Sequence, residues 1–212
     1  MAVAVYGARM GSRDLYFSCD VEADGPVPGP YSLLSFGFSV AGSFDGAVFT
    51  PHDPLERTFY AELRPISGSF VPEALAVSGL DREALLKAGR EPAEAMSEAA
   101  RWVRRLAAEA RAFPVFAAYP LGFDWMWMYW YFMTFAEGGS PFGHSRALDL
   151  KTLYATRAGV RVRDAVKGRM PRGLLPARPH THHALDDAVE QAELLQNLML
   201  WDGRSRGSSA RG

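Results

Sequence analysis

Residues Tyr16–Glu22 read YFSCDVE, the strongest strand signal in the chain. Phe17, Cys19 and Val21 alternate with Ser18, Asp20 and Glu22, the two-residue period of a half-buried strand with its apolar set toward a core. Asp20 and Glu22 therefore share one face, roughly 7 Å apart. Two like charges at that separation beside a core favour a divalent cation between or next to them. Beyond a Gly- and Pro-rich turn (DGPVPGP, 24–30), strands are expected at Tyr31–Val40 and Thr58–Arg64, the second stopped by Pro65. Together the three predict an antiparallel meander.

Downstream, Ser78-Gly79-Leu80 reads as a turn and Asp81–Ala88 as a short helix. Pro92–Ala112 is expected to be a long amphipathic helix, with Pro92 in its first turn and Met96, Ala99, Ala100, Val103 and Leu106 along one face. Val115–Ala118 behind Pro114 fits a buried strand, and a helix containing Asp124 follows. A Gly-rich loop then precedes a strand leading into a helix at Ala147–Tyr154, and a last helix runs from about His183 to Leu200. Strands first, then alternating helix and strand, predict an α/β domain with one mixed sheet and helices on its faces.

The chain has 212 residues, 48% of them hydrophobic and 12% aromatic, with 23 basic against 24 acidic side chains. That composition excludes disorder over most of the length, and the lone Cys19 excludes an internal disulfide framework. A net charge of -1 argues against a general coat for duplex, whose affinity comes from many phosphate contacts. Arg9 and Arg13 interrupt the only segment placed to be a signal peptide, and the apolar run Phe123–Ala136 is too short to span a membrane, so a cytoplasmic protein with no membrane partner is expected. The domain is expected to cover residues 14–201, after an N-terminal extension (1–13) and before a disordered tail (202–212). Between 157 and 178, seven Arg and Lys face one Asp164. Such a run either guides a phosphate backbone or is simply a solvated loop.

The last helix can be read by angle at about 100° per residue. Ala184, Leu185, Ala188, Val189, Ala192, Leu195 and Met199 share an apolar arc, and Asp186, Glu190, Glu193 and Asn197 the polar face opposite. Asp187 falls on the flank of the apolar arc, where an ionised carboxylate needs a partner or a cation. Asp124 precedes WMWMYWYFMTF, apolar on nearly every side, and has two readings: a helix N-cap or a metal ligand. Trp125, Trp127, Tyr129 and Trp130 either stack bases or fill the core.

The set DVE (20–22), GFD ending at Asp124 and HHALDD (182–187) resembles the three motifs of the DEDDh group of DnaQ-like 3′-to-5′ exonucleases, which includes RNase T, oligoribonuclease and the proofreading exonuclease subunit of DNA polymerase. LLSFGFSV (33–40), VSGLDREAL (77–85) and ALDLKTLY (147–154) resemble the intervening elements, so the resemblance covers most of the chain. It departs where Ala23, Asp24 and Gly25 replace the usual two Thr and a Gly, and where Tyr119-Pro120 replaces His-Asn.

The resemblance implies an RNase H-like fold, a mixed five-stranded sheet flanked by helices. It implies Asp20, Glu22, Asp124 and Asp187 as catalytic metal-binding carboxylates for two Mg2+ or Mn2+ ions, and His182 as general base. Ala23, Asp24, Gly25 and Phe123 stand at positions implied to contact substrate, namely single-stranded or short RNA or DNA. The products would be nucleoside 5′-monophosphates, and relatives acting on RNA make a homodimer an open expectation. The alternative is a nucleic-acid-binding or partner-binding module that keeps the fold with little or no turnover.

Overall fold

The computed structural model describes residues 13–203. Of the expected extension and tail, residues 1–12 and 204–212 lie outside the described residues. The strands are β1 (Arg13–Ala23), β2 (Leu33–Phe44), β3 (Phe49–Pro51), β4 (Thr58–Glu62), β5 (Ala112–Ala118) and β6 (Ala147–Asp149). They form one sheet in the order β3-β2-β1-β5-β6, with β4 also pairing to β2. β4 pairs with Ser35–Ser39 and β3 with Gly42–Phe44, so these two short strands lie end to end in one of five strand positions. β2 is antiparallel to its neighbours, while β5 and β6 follow in parallel beside β1. This is the mixed sheet that the sequence predicts.

The helices are α1 (Pro72–Ser78), α2 (Arg82–Ala88), α3 (Pro92–Glu109), α4 (Leu121–Phe135), α5 (Leu150–Ala158) and α6 (Ala184–Leu200). α1 buries none of its residues, which is why no apolar period announces it. The expected helix to Ala112 stops at Glu109 instead; Arg111 takes a left-handed backbone (φ 50°) and Ala112 opens β5. β5 also begins earlier than expected because Pro114 is tolerated. β6 pairs only with Phe116–Ala118, so Pro114 sits on an open edge where a missing N–H costs nothing. Its carbonyl on that edge accepts from Arg146 Nε at 3.2 Å.

Leu15, Phe17, Cys19 and Val21 of β1 pack with Phe36 and Phe38 of β2, Met96 and Val103 of α3, and Trp127 and Phe132 of α4. On the other face, Tyr16 and Ala117 pack with Tyr154 of α5 and Leu194, Leu195 and Leu198 of α6. A helical layer thus covers each face. Each fully buried Phe or Leu contributes roughly 1.5–3 kcal/mol relative to exposure. α4 is pinned across the sheet, since Tyr131 Oη accepts from the Leu33 amide at 2.7 Å. Among the described residues, no helix is long and apolar enough to cross a membrane.

Candidate active site

The polar face of β1, which carries Asp20 and Glu22, lies under α6. Gly37 of β2 pairs directly opposite Asp20. A Cβ at Gly37 would stand 2.5 Å from Ala184 O and from Leu185 Cα, so only glycine lets the first turn of α6 come this close. That approach carries Asp187 to the strand: carboxylate oxygens of Asp20, Glu22 and Asp187 lie within 4.8 Å of one another. Asp187 is fully buried. Its two oxygens accept from the amides of Thr181 and His182, each at 2.8 Å. Asp186 faces solvent instead.

Asp124 is not a helix cap. Pro120 occupies that position, and Asp124 sits in the first turn of α4. Its carboxyl is buried and lies near the Val21 backbone of β1, reached from the opposite helical layer. The start of α4 is held by the Leu121 amide donating to Asp149 Oδ1 at 3.2 Å, and Asp149 itself caps α5.

Burial, then the charges of Asp124, Glu22 and Asp187, hold the Asp20 carboxyl well above the usual range. Burial and Asp187 push Glu22 up to about 7, and burial with the charge of Glu22 pushes Asp124 up to about 8. Crowded carboxylates that resist ionisation together are a site for divalent cations, which remove the mutual repulsion. The donors are all hard oxygens, as Mg2+ and Mn2+ prefer. The residues present fit such ions.

His182 lies in the loop before α6 with a left-handed backbone (φ 61°) and an exposed side chain. A non-glycine residue held there is strained, and such strain clusters at working sites. The loop also brings His180 in, its Nδ1 3.2 Å from Asp187 Oδ1. His183 turns away as the α6 cap and stacks on Tyr60, ring centroids 4.7 Å apart.

No protein-family model matches the sequence. The 3′-5′ DNA exonuclease Cap18 of Escherichia coli is 34% identical over 184 residues, which span 87% of this chain and 91% of that protein. The chain belongs to the DEDDh group of DnaQ-like 3′-to-5′ exonucleases. The fold of the exonuclease is also that of the nuclease domain of 3′hExo, a DEDDh member, at TM-score 0.63 and 12% identity over 87% of this chain and 90% of that one. Cell-death related nuclease 4 matches at TM-score 0.60 and 13% identity, over 90% and 64% of the two chains. Enzymes of this group use divalent metals.

After the first motif the chain of the exonuclease turns inward. Ala23, Asp24 and Gly25 are all buried. Asp24 Oδ2 pairs with Arg82 Nε at 2.9 Å, its Oδ1 accepts from the Ser32 amide, and its carbonyl accepts from the Val71 amide at 2.7 Å. Gly25 lies under Tyr31, whose ring carbons would stand 2.2 Å from an added Cβ. These residues lock the end of β1 to the segment around α1 and α2. Phe123, by contrast, is 42% exposed and lies next to Asp124.

Most cations of the 157–178 segment have partners within the exonuclease. Arg161 and Arg169 pair with Asp164, Arg178 with Glu193, and Lys167 with the buried Glu190 at 2.5 Å. Glu190 thus leaves the polar face assigned to it from helical angle. Arg157 Nη1 donates to the carbonyls of Leu198 and Trp201, each at 2.6 Å, and caps the end of α6. Trp127 is wholly buried, whereas Trp125, Tyr129 and Trp130 are partly buried.

One residue escaped the sequence reading. Gln191, 2% exposed, joins Asp20 to the backbone of Tyr119. Its signal was its place one helical turn after Asp187, the spacing that puts two side chains on one face.

Proposed function

We propose that the exonuclease shortens single-stranded or short DNA from the 3′ end and releases nucleoside 5′-monophosphates. The convergence of Asp20, Glu22 and Asp187 within 4.8 Å carries this reading. DNA is favoured by the likeness to Cap18, which acts on DNA by name. The near-zero net charge favours short or single strands over long duplex. The catalytic unit in this reading is residues 14–201, acting as a monomer or a homodimer.

Asp20, Glu22 and Asp187 would hold two Mg2+ or Mn2+ ions, with Asp124 completing the set. When bound, such ions stabilise charge on the phosphoryl group and make water a better nucleophile. His182, exposed and one hydrogen bond from Asp187 through its backbone, takes the proton from the attacking water, a task suited to imidazole. The amides of Thr181 and His182 fix the orientation of Asp187, and Gln191 that of Asp20. Phe123 offers an aromatic face to the terminal base.

The test is a 5′-labelled single strand incubated with the protein and Mg2+, Mn2+ or chelator. Stepwise shortening, mononucleotide 5′-phosphate product and loss of both in Asp20→Ala and in chelator are expected. Internal cleavage, or shortening that persists in Asp20→Ala, would overturn the assignment.

A further inference from the structure

The loop entering α6 reads PHTHHALDD (179–187), and it holds one imidazole at the cluster beyond the base assigned above. His180 and His182 meet edge to face with ring centroids 4.5 Å apart. His180 Nδ1 is 3.2 Å from Asp187 Oδ1. One ring nitrogen from each histidine and one Asp187 oxygen lie within 4.8 Å of one another. Tetrahedral coordination at bond lengths of about 2.0–2.2 Å needs ligand atoms roughly 3.3–3.6 Å apart. Small rotations of two exposed imidazoles close that gap. Asp187 is already oriented by two backbone amides, the outer support that ligating carboxylates ordinarily have.

The donor types separate this triad from the carboxylate cluster. Two imidazoles and one carboxylate with an open fourth position suit zinc, whereas Asp20, Glu22 and Asp187 offer oxygen alone. Zinc also outcompetes manganese at mixed nitrogen and oxygen sites.

We propose that His180, His182 and Asp187 form a zinc site that shares Asp187 with the carboxylate cluster, and that zinc bound there inhibits the exonuclease. The inhibitory half rests on the function proposed above; the site itself does not. A His182 nitrogen bonded to zinc has no lone pair with which to take a proton, and an Asp187 oxygen turned to zinc is withdrawn from the neighbouring site.

The test uses the full chain and His180→Ala, with circular dichroism to verify that both fold. Cobalt(II) is titrated in as a visible reporter of coordination, and zinc affinity is measured by competition with a chromophoric chelator. Expected are the intense visible bands of four-coordinate cobalt, their displacement by one equivalent of zinc, and at least tenfold weaker zinc binding in His180→Ala. Glu22→Gln, altered only in the carboxylate cluster, keeps the cobalt spectrum. In parallel, zinc suppresses Mn2+-supported strand shortening at least tenfold, and His180→Ala needs at least tenfold more zinc for the same suppression. Equal zinc affinity in the two proteins, or a six-coordinate cobalt spectrum, overturns the site. Zinc bound through His180 without loss of shortening overturns the inhibition. A chain that shortens nothing under any metal refutes the proposed function, and the cobalt and zinc titrations still decide the site.

Discussion

Gln191 Nε2 donates to Asp20 Oδ1 at 2.7 Å. Its Oε1 meanwhile accepts from the Tyr119 amide at 2.6 Å, so one side chain fixes a cluster carboxylate and the entry to α4 together. Gln191→Leu removes both bonds and strands a polar amide. Mn2+ affinity or turnover is expected to fall about 10- to 100-fold, as when outer-shell partners of metal ligands are lost. Stability should fall by about 1–3 kcal/mol from the unpaired group. Manganese titration and denaturant melts check the two effects separately, and unchanged manganese affinity and turnover would remove Gln191 from the site.

Gly37→Ala tests whether close approach of α6 sets the cluster. The clashing atoms are backbone, Ala184 O and Leu185 Cα at 2.5 Å, so no side chain can rotate away. Overpacking of this kind costs about 1–3 kcal/mol, which for a domain of this size lowers Tm by about 2–4 °C per kcal/mol. Because the displaced turn carries Asp187, manganese affinity should fall as well. Calorimetry with and without Mn2+ is expected to show a smaller metal-induced rise in Tm than in the parent.

How far these features could be read beforehand depends on range along the chain. Asp20 and Glu22 share a face through a period of two, and Asp187 is distinguished from Asp186 by helical angle; both are local facts of YFSCDVE and HHALDD. The buried ion pair of Asp24 was not legible because its partner, Arg82, lies 58 residues away and the pairing exists only in the folded chain. Glu190 looked solvent-facing for the same reason, since Lys167 covers it from another segment. Pro114 and the three-residue β3 misled or escaped because a strand edge has no sequence period of its own.

Glu22→Gln should separate stability from activity. Glu22 is one of several carboxyls whose mutual charge disfavours ionisation. Neutralising it relieves the metal-free fold, so Tm in chelator should rise by a few degrees. The same change removes a cation ligand, and the loss of several kcal/mol of transition-state stabilisation corresponds to roughly 10²-fold or more in rate. Thermal melts in chelator and strand-shortening rates in Mn2+ check the opposite signs.

The pH response has a defined direction. Glu22 is raised from 4.5 to about 7 and Asp124 from 3.8 to about 8, so between about pH 4 and 8 the folded chain holds protons that the unfolded chain releases. Stability from these two groups is therefore fully present below about pH 4 and is lost as pH rises through 7 and 8. In chelator, Tm of the parent minus Tm of the double variant Glu22→Gln/Asp124→Asn should become more negative from pH 5 to 8. Saturating Mn2+ holds the carboxylates ionised in the parent and should flatten or reverse that slope. A difference independent of pH in chelator would show that the pair does not titrate in this window.

The Asp24–Arg82 pair decides whether the first-motif flank is scaffold or substrate contact. Both side chains are buried, 0% and 8% exposed, with Nε and Oδ2 2.9 Å apart. Arg82 Nη2 also donates to the Ser67 carbonyl, so the pair ties the end of β1 to the loop before α1 and to α2. Asp24→Ala leaves a buried guanidinium uncompensated and should cost about 3–5 kcal/mol. Replacing both partners, as Asp24→Leu/Arg82→Met, removes both charges and should restore much of that loss. If the pair is scaffold, the double variant regains stability, and its KM for a short single strand stays near that of the parent. If Asp24 contacts substrate, KM rises in both variants whether or not stability returns. Denaturant melts and initial rates measured on folded protein at saturating Mn2+ distinguish the two outcomes.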